Sequence, residues 1–223
     1  MNENLESTLD ALSTIQITAN PNNEPVTVLG FAEGMRCIGV GTDAAVFHSS
    51  ETPEYAFKVY ANEKREKIAV EAEVYKQLGD SPYFPTCYAA TASVLIVSYE
   101  PGITFFDCIL QGISIPKEAV EDVEKAREYV RSKGLNPRDI HLKNVLLQDG
   151  RAKIIDVSEY VLPGNDNRWE DLKRGYEDYY HLFEGRAVPF WMVETVRKWY
   201  NNRSEGFSYE DFANKVMRFF IKK

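Results

Sequence analysis

Residues 134–156 read GLNPRDIHLKNVLLQDGRAKIID. Asp139 and Asn144 stand five apart in a polar loop, and Asp156 closes a short apolar run. Carboxylates in a buried loop are costly, so the arrangement calls for a metal, a phosphate or a nucleophile as partner. Asp139 has the chemistry to accept a proton from a hydroxyl. Asn144 and Asp156 are hard oxygen donors of the kind Mg²⁺ takes. Singly, the three also read as a turn cap, a loop residue and a strand end.

Working outward, the preceding KEAVEDVEKAREYVRSK has Val120, Val123, Ala126 and Val130 on one helical face, with Gly134 placed to cap its end. TFFDCILQG before it predicts a short helix. VLLQ and AKIID predict two brief strands around Asp149–Gly150, and helical periodicity returns at about 168–183, 189–201 and 208–220. The first half differs in texture. VTVLGF, MRCIGV, AAVFHS and YAFKVY are short, β-rich runs broken by Gly, Asp or Pro. NEKREKIAVEAEVYKQL is helical, and PTCYAATASVLIVSYE predicts two strands joined by a turn. We therefore expect residues 1–25 to be a polar leader, with Leu5, Leu9 and Leu12 able to line one face of a short helix. Residues 26–98 form a β-rich lobe with one long helix, and residues 99–223 a mostly α lobe. Two lobes joined near Tyr99–Gly102 predict a cleft of the kind small ligands occupy.

Three earlier features bear on chemistry. Gly39 and Gly41, followed by Ala44 and Val46, lie between two strands; they read either as a phosphate-covering turn or as a plain hairpin. Because the loop opens a strand and not a helix, dinucleotide binding is disfavoured. Lys58 lies in an apolar strand on the face of Ala56 and Tyr60, where it either meets an anion or reaches solvent along its stem. Glu71 is a candidate for that anion, or an ordinary solvated glutamate like Glu73.

The chain has 223 residues, 44% hydrophobic and 27% charged, which suffices for one large domain or two small lobes. A net charge of −8 argues against broad nucleic-acid binding and against an anionic-membrane anchor, leaving room only for a local basic patch. Cys37, Cys87 and Cys108 are odd in number and widely spaced, so neither a disulfide framework nor a zinc site is expected. No run approaches the roughly 20 apolar residues of a membrane span, and the acidic start lacks a signal-peptide core. The expectation is a reduced, cytoplasmic protein with no nucleic-acid or membrane partner.

In order, a glycine loop, a strand lysine, a helical glutamate, a hinge and then Asp, Asn and Asp make a pattern. It resembles the eukaryotic-like protein kinase superfamily over about residues 38–185. GVGTDAAV is similar to G-x-G-x-x-G-x-V, AFK to A-x-K, PRDIHLKN to H-R-D-L-x-x-x-N, and DVS falls where D-F-G would be. DLKRGYEDYYHLFEG resembles a helix of the large lobe with Asp171 as a buried anchor. More narrowly, GLNPRDIHLKN, KIIDVSEY and RWEDLK resemble small Firmicute-type bacterial Ser/Thr-kinase-like proteins with a shortened activation segment.

The resemblance implies an α+β, bilobal protein-kinase-like fold with a reduced C-lobe, and transfer of phosphate from ATP with Mg²⁺. It makes Asp139 the base, pairs Lys58 with Glu71 on the ATP phosphates beneath Gly39 and Gly41, and puts Mg²⁺ on Asn144 and Asp156. Ile38, Val46, Ala56, Val97 and Leu146 would sandwich the adenine, with the backbone of Ser98, Tyr99 and Glu100 on its edge. The lysine usual two positions after the base is His141; Lys143, four after it, would supply that charge, or is a solvated loop lysine. Ala44, Pro137, Val157 and Ser158 depart from the motifs. Only VSEYVLPGNDNRWE separates Asp156 from Asp171, which leaves no room for a full activation segment. The implied activity is a compact protein Ser/Thr kinase acting on an unidentified protein or on itself. The alternatives are a small-molecule phosphotransferase and a nucleotide-binding pseudokinase, whose aromatic-rich end (PFWMVETVRKWY, MRFF) would be a partner surface and not ordinary core.

Overall fold

Alternation within AAVFHS and YAFKVY gives each strand two distinct faces, and the register of the sheet lines those faces up. In the computed structural model, which describes residues 3–203 and 206–221, strands β3 (Met35–Val40), β4 (Ala44–Ser49), β5 (Tyr55–Tyr60), β6 (Cys87–Ala90) and β7 (Val94–Ser98) form one antiparallel sheet in the order β3-β4-β5-β7-β6. Val46 stands opposite Lys58 and Lys58 opposite Leu95, while His48, Ala56 and Val97 line up two residues along. These six share one face. Ala45, Phe47, Phe57, Val59, Val94 and Ile96 share the other.

That second face is covered by the start of the chain. Helix α1 (Glu3–Ser13) and the two-stranded sheet of β1 (Gln16–Thr18) and β2 (Thr27–Leu29) bring Leu12, Ile15, Ile17, Val26 and Ala32 into one buried cluster with the six sheet residues. Leu5 and Leu9 pack against it. Residues 1–25, expected as a polar leader with Leu5, Leu9 and Leu12 able to line one face of a short helix, carry that helix as α1 and, through Leu12, Ile15 and Ile17, also help cover the sheet.

Over the face that carries Lys58, helix α2 (Glu66–Leu78) packs on β6 and β7. Its buried stripe is Ile68, Glu71, Val74, Tyr75 and Leu78, the three- and four-residue spacing of a single helix face, with a glutamate in an otherwise apolar row.

The chain divides into two compact units that are discontinuous in sequence. The first is Met1–Pro101 with Ala126–Pro137 and Ile154–Gly164; the second is Gly102–Lys125, Arg138–Lys153 and Asn165–Lys223. Besides its sheet, the first unit holds the end of helix α4 (Lys117–Ser132), where Gly134 follows at φ 75°.

In the second unit, β8 (Ile103–Thr104), β9 (Val145–Gln148) and β10 (Arg151–Ile154) form a small sheet in the order β10-β9-β8. Gly102 leads into it where a Cβ would lie 2.9 Å from the Leu147 carbonyl oxygen, so only glycine fits. Helices α3 (Phe105–Gln111), α5 (Arg168–Tyr179), α6 (Phe190–Asn201) and α7 (Tyr209–Ile221) complete it. Thr104 caps α3, accepting from the Asp107 amide at 3.0 Å. Asp122 of α4, 2% exposed, binds the Arg151 guanidinium through both carboxylate oxygens at 2.6 Å. The protein is thus α+β, an antiparallel sheet in its N-terminal part and helices in its C-terminal part. Among the described residues no helix is long and apolar enough to cross a membrane.

Candidate active site

Lys58 is the centre of the first unit's polar cluster. Its Nζ lies 2.9 and 2.8 Å from the two carboxylate oxygens of Glu71 and 3.2 Å from Asp156 Oδ2. Glu71 is fully buried and also accepts a hydrogen bond from the Tyr60 hydroxyl. Burial alone would lower the Lys58 pKa; the Asp156 and Glu71 carboxylates outweigh it and hold it well above its usual 10.5. Burial pushes Glu71 upward, against the pull of Lys58. Burial opposes ionisation of Asp156 too, but Lys58 and the Ser158 amide prevail, and its pKa falls below the ordinary carboxylate value. Asp156 therefore stays an anion with part of its carboxylate open to solvent.

Regular structure fixes this cluster from three sides. Lys58 points from β5 because the strand's alternation sends Phe57 and Val59 to the opposite core. Glu71 faces it because it occupies the buried stripe of α2. Asp156 follows Ile154, whose amide donates to the Tyr83 carbonyl at 2.9 Å, and precedes the fully buried Val157. In place of the D-F-G glycine, the Ser158 amide donates to Asp156 Oδ1 at 3.0 Å, a tight turn that orients the carboxylate.

Gly39 and Gly41 lie on the β3–β4 hairpin, with the Gly41 amide bonded to the Ala44 carbonyl at 2.9 Å. Neither has a positive φ. An added Cβ would meet only the Val46 side chain at 3.8 Å from Gly39 and the Ala44 carbonyl at 3.4 Å from Gly41, both ordinary contacts. The fold itself does not require these glycines, so their bare backbone fits a group that approaches from outside. Asp43 at the turn is drawn to the start of α2 by Lys67 at 2.5 Å and by neighbouring Lys64 at 3.6 Å.

Of the residues expected around adenine, Ala56 and Val97 are buried, Val46 is half-buried and Ile38 is exposed, all in the first unit. Leu146 is buried in the second. The Ser98 and Tyr99 amides donate to the carbonyls of Thr86 and Glu54, each at 2.8 Å. The Ser98 hydroxyl donates to Glu100 Oε1 at 2.5 Å.

The second unit holds the loop of Asp139 and Asn144. Asp139 has φ 54°, and its amide donates to Asp166 Oδ2 at 2.8 Å. Its carboxylate binds the Arg168 guanidinium, with His141 Nε2 3.9 Å away. Asn144 donates through Nδ2 to the Asp139 carbonyl at 3.1 Å. Lys143 turns elsewhere: its ammonium lies 4.5 Å over the Phe106 ring and 3.9 Å from Glu194 Oε1. Asp171, expected as a buried anchor, is only half-buried and accepts from the Tyr200 hydroxyl at 2.7 Å.

The Asp156 carboxylate of the first unit and the Asn144 amide oxygen of the second are each donors of the hard-oxygen type. Among the described residues no group of three or more His, Cys, Asp or Glu side chains gathers into a cage.

Four further residues escaped the reading of the sequence. Tyr60 steadies Glu71. Asn136 holds the shortened segment after Asp156: its amide donates to the Tyr160 carbonyl at 2.9 Å, and its Nδ2 to those of Leu162 and Gly164, both at 2.7 Å. Asp166 and Arg168 organise the Asp139 loop. The run NDNR at 165–168, ahead of an apolar-periodic helix, is the local signal for the last two, because Asx residues there bond to backbone amides.

No family model matches the chain. Over 165 residues it is 33% identical to the Bacillus subtilis (strain 168) protein named "Putative serine/threonine-protein kinase YrzF", covering 72% of this chain and 77% of that one. It is 26% identical over 165 residues to "Serine/threonine-protein kinase SBK1" of Danio rerio, covering 68% of this chain and 43% of that longer protein. The co-crystal structure of WbdD with the kinase inhibitor LY294002 aligns with a TM-score of 0.47 at 16% identity, over 86% of this chain and 46% of that one. With the motifs in order and a one-third-identical relative spanned over most of its length, the chain belongs to the protein kinase-like superfamily.

Proposed function

We propose that the protein transfers the γ-phosphoryl group of ATP to a serine or threonine hydroxyl of a protein, itself included. The observation that carries this reading is Lys58, held within 3.2 Å of both Glu71 and Asp156 by a strand, a helix and a tight turn. An ammonium so placed meets the α- and β-phosphates, and Gly39 and Gly41 cover them with bare backbone. The acceptor oxygen attacks the γ-phosphorus, the bond to the β,γ-bridging oxygen breaks with its electron pair leaving on ADP, and Asp139 takes the acceptor's proton. Asn144 and Asp156 would hold Mg²⁺, which would supply neutralisation of the developing charge. Residues 26–98 carry the glycine turn, Lys58 and Glu71 for the nucleotide, and residues 99–223 carry the catalytic loop with Asp139 and Asn144, together with Asp156. The three free thiols and the acidic net charge suit a cytoplasmic protein.

A second reading, a small-molecule acceptor, is favoured by one observation. Only residues 157–167 lie between Asp156 and α5, and Asn136 ties them back, which leaves little chain to seat a peptide.

Incubation with γ-labelled ATP and Mg²⁺ tests both. Label on the protein or on added polypeptides, absent from Asp139→Ala, is the expected result. Label found only on small molecules transfers the case to the second reading, and no label in any fraction, with nucleotide still bound, makes the protein a pseudokinase.

A further inference from the structure

The phosphoryl-transfer reading calls for a cation beside Asp139, and neither loop position that could supply one places a permanently charged group on its carboxylate. Position 141 is a histidine, and the Lys143 ammonium is engaged by the Phe106 ring and the Glu194 carboxylate. The guanidinium on the Asp139 carboxylate belongs to Arg168, the first residue of α5.

Arg168 is built into place. Its amide donates to Asp166 Oδ1 at 3.1 Å, its Nε lies 3.7 Å from Asp166 Oδ2, and that same oxygen accepts from the Asp139 amide. Arg203 Nη2 donates to the Asp166 carbonyl at 3.1 Å. One aspartate thus sets the backbone of both the carboxylate and the arginine that binds it. We propose that Arg168 is the residue that binds the γ-phosphoryl group during transfer, a role the sequence motif offers to Lys143. The proposal rests on the kinase reading above.

The distances allow it. An acceptor hydroxyl bonded to Asp139 lies about 3 Å from its carboxylate, and the γ-phosphorus about 3–3.5 Å beyond that oxygen. A guanidinium on the same carboxylate is then on the side of the acceptor that the γ-oxygens approach. Its five donors form a rigid fork that can face a carboxylate along one edge and a phosphate along another, which an ammonium does less well.

The test separates this inference from the reading beneath it. Calorimetric titration with Mg-ATP and Mg-ADP compares wild type, Arg168→Ala, Arg168→Lys and Lys143→Ala, each checked by thermal melting. Because only ATP carries the γ-phosphoryl group, Arg168→Ala should weaken ATP binding by about tenfold while leaving ADP binding unchanged, the scale of one lost charge-assisted contact. Transfer should fall by about 10³-fold, as when a transition-state arginine is removed. Arg168→Lys should recover part of both, and it stands in if the alanine variant fails to fold. Arg168→Ala that keeps the wild-type preference for ATP over ADP overturns the inference, as does loss of that preference in Lys143→Ala instead. Wild-type protein that binds neither nucleotide overturns the kinase reading itself.

Discussion

The Lys58 cluster and the Asp139 loop are organised in opposite ways. In the first unit, Lys58, Glu71 and Asp156 are set by a strand's alternation, a helix's buried stripe and a turn beside a buried valine. Regular elements carry the geometry, and the charged groups fill positions that the fold would otherwise give to apolar residues. In the second unit, Asp139 lies in a loop at a left-handed φ, and two side chains, Asp166 and Arg168, hold it from 27 and 29 residues downstream. The first arrangement is inseparable from the core; the second can be loosened with the fold intact. That contrast orders the effects of mutation.

Lys58→Met should have the largest effect. It leaves Glu71 buried without its cation, and breaking a buried ion pair by removing one partner costs about 3–5 kcal/mol. For a chain of this size that is a fall in Tm of roughly 6–20 °C. The pH dependence has a definite sign. The Lys58 pKa is raised above 10.5, so the stability it contributes is complete below 10.5 and is lost as pH rises through the folded value. In the variant, Glu71, already pushed up by burial, takes a proton as pH falls, and the deficit relative to wild type should narrow on the acid side. Thermal melts of both proteins from neutral to acid pH check this; a deficit that widens with acid would show that Glu71 does not bear the cost.

Leu12→Ala comes next. Leu12 is 2% exposed in the cluster behind Phe57 and Val59, the residues that flank Lys58. A buried leucine cut to alanine costs about 2–5 kcal/mol. Urea unfolding with an unchanged m-value would confirm a simple loss of packing, whereas a change below about 0.5 kcal/mol would mean that α1 does not back the sheet.

These two substitutions also mark what was legible in the sequence. Strands and helices could be read because their spacing follows the periods of strand and helix, and periodicity is local. The Lys58–Glu71 pairing comes only from the order of the motifs, since spacing alone leaves Glu71 open as a solvated glutamate. The part residues 1–25 play in covering the sheet could not be read, because Leu12, Ile15 and Ile17 become a core only against a sheet formed later in the chain. The Asp139 loop was half legible. Its own motif named Asp139 and Asn144, and offered Lys143 either as a source of charge or as a solvated loop lysine. The Arg168 contact depends on how the shortened 157–167 segment returns, a tertiary matter that no local period encodes.

Asp166→Ala should act on the loop and hardly on the fold. It strips the acceptor from the Asp139 and Arg168 amides, a loss of about 1–3 kcal/mol if those donors stay shielded from water. Hydrogen exchange at the Asp139 amide should accelerate while the Lys58 strand keeps its protection. Equal acceleration in both places would erase the distinction between a loop-held and a core-held half of the site.

Lys143→Ala should have the smallest effect of all. The lysine is half exposed; it gives up a cation–π contact with Phe106, worth about 0.5–1 kcal/mol at an exposed site. Its ion pair at 3.9 Å adds little, because Glu194 is held more closely by Arg197 at 2.7 Å and that bond is the main reason its carboxyl lies below its ordinary pKa. The substitution thus leaves no charge stranded, in contrast to Lys58→Met, although both remove a lysine from a motif position. A Tm within about 4 °C of wild type is expected. A larger fall would place Lys143 among the groups that hold the Asp139 loop, and the second unit would then be organised from within its motif as well as from the residues beyond it.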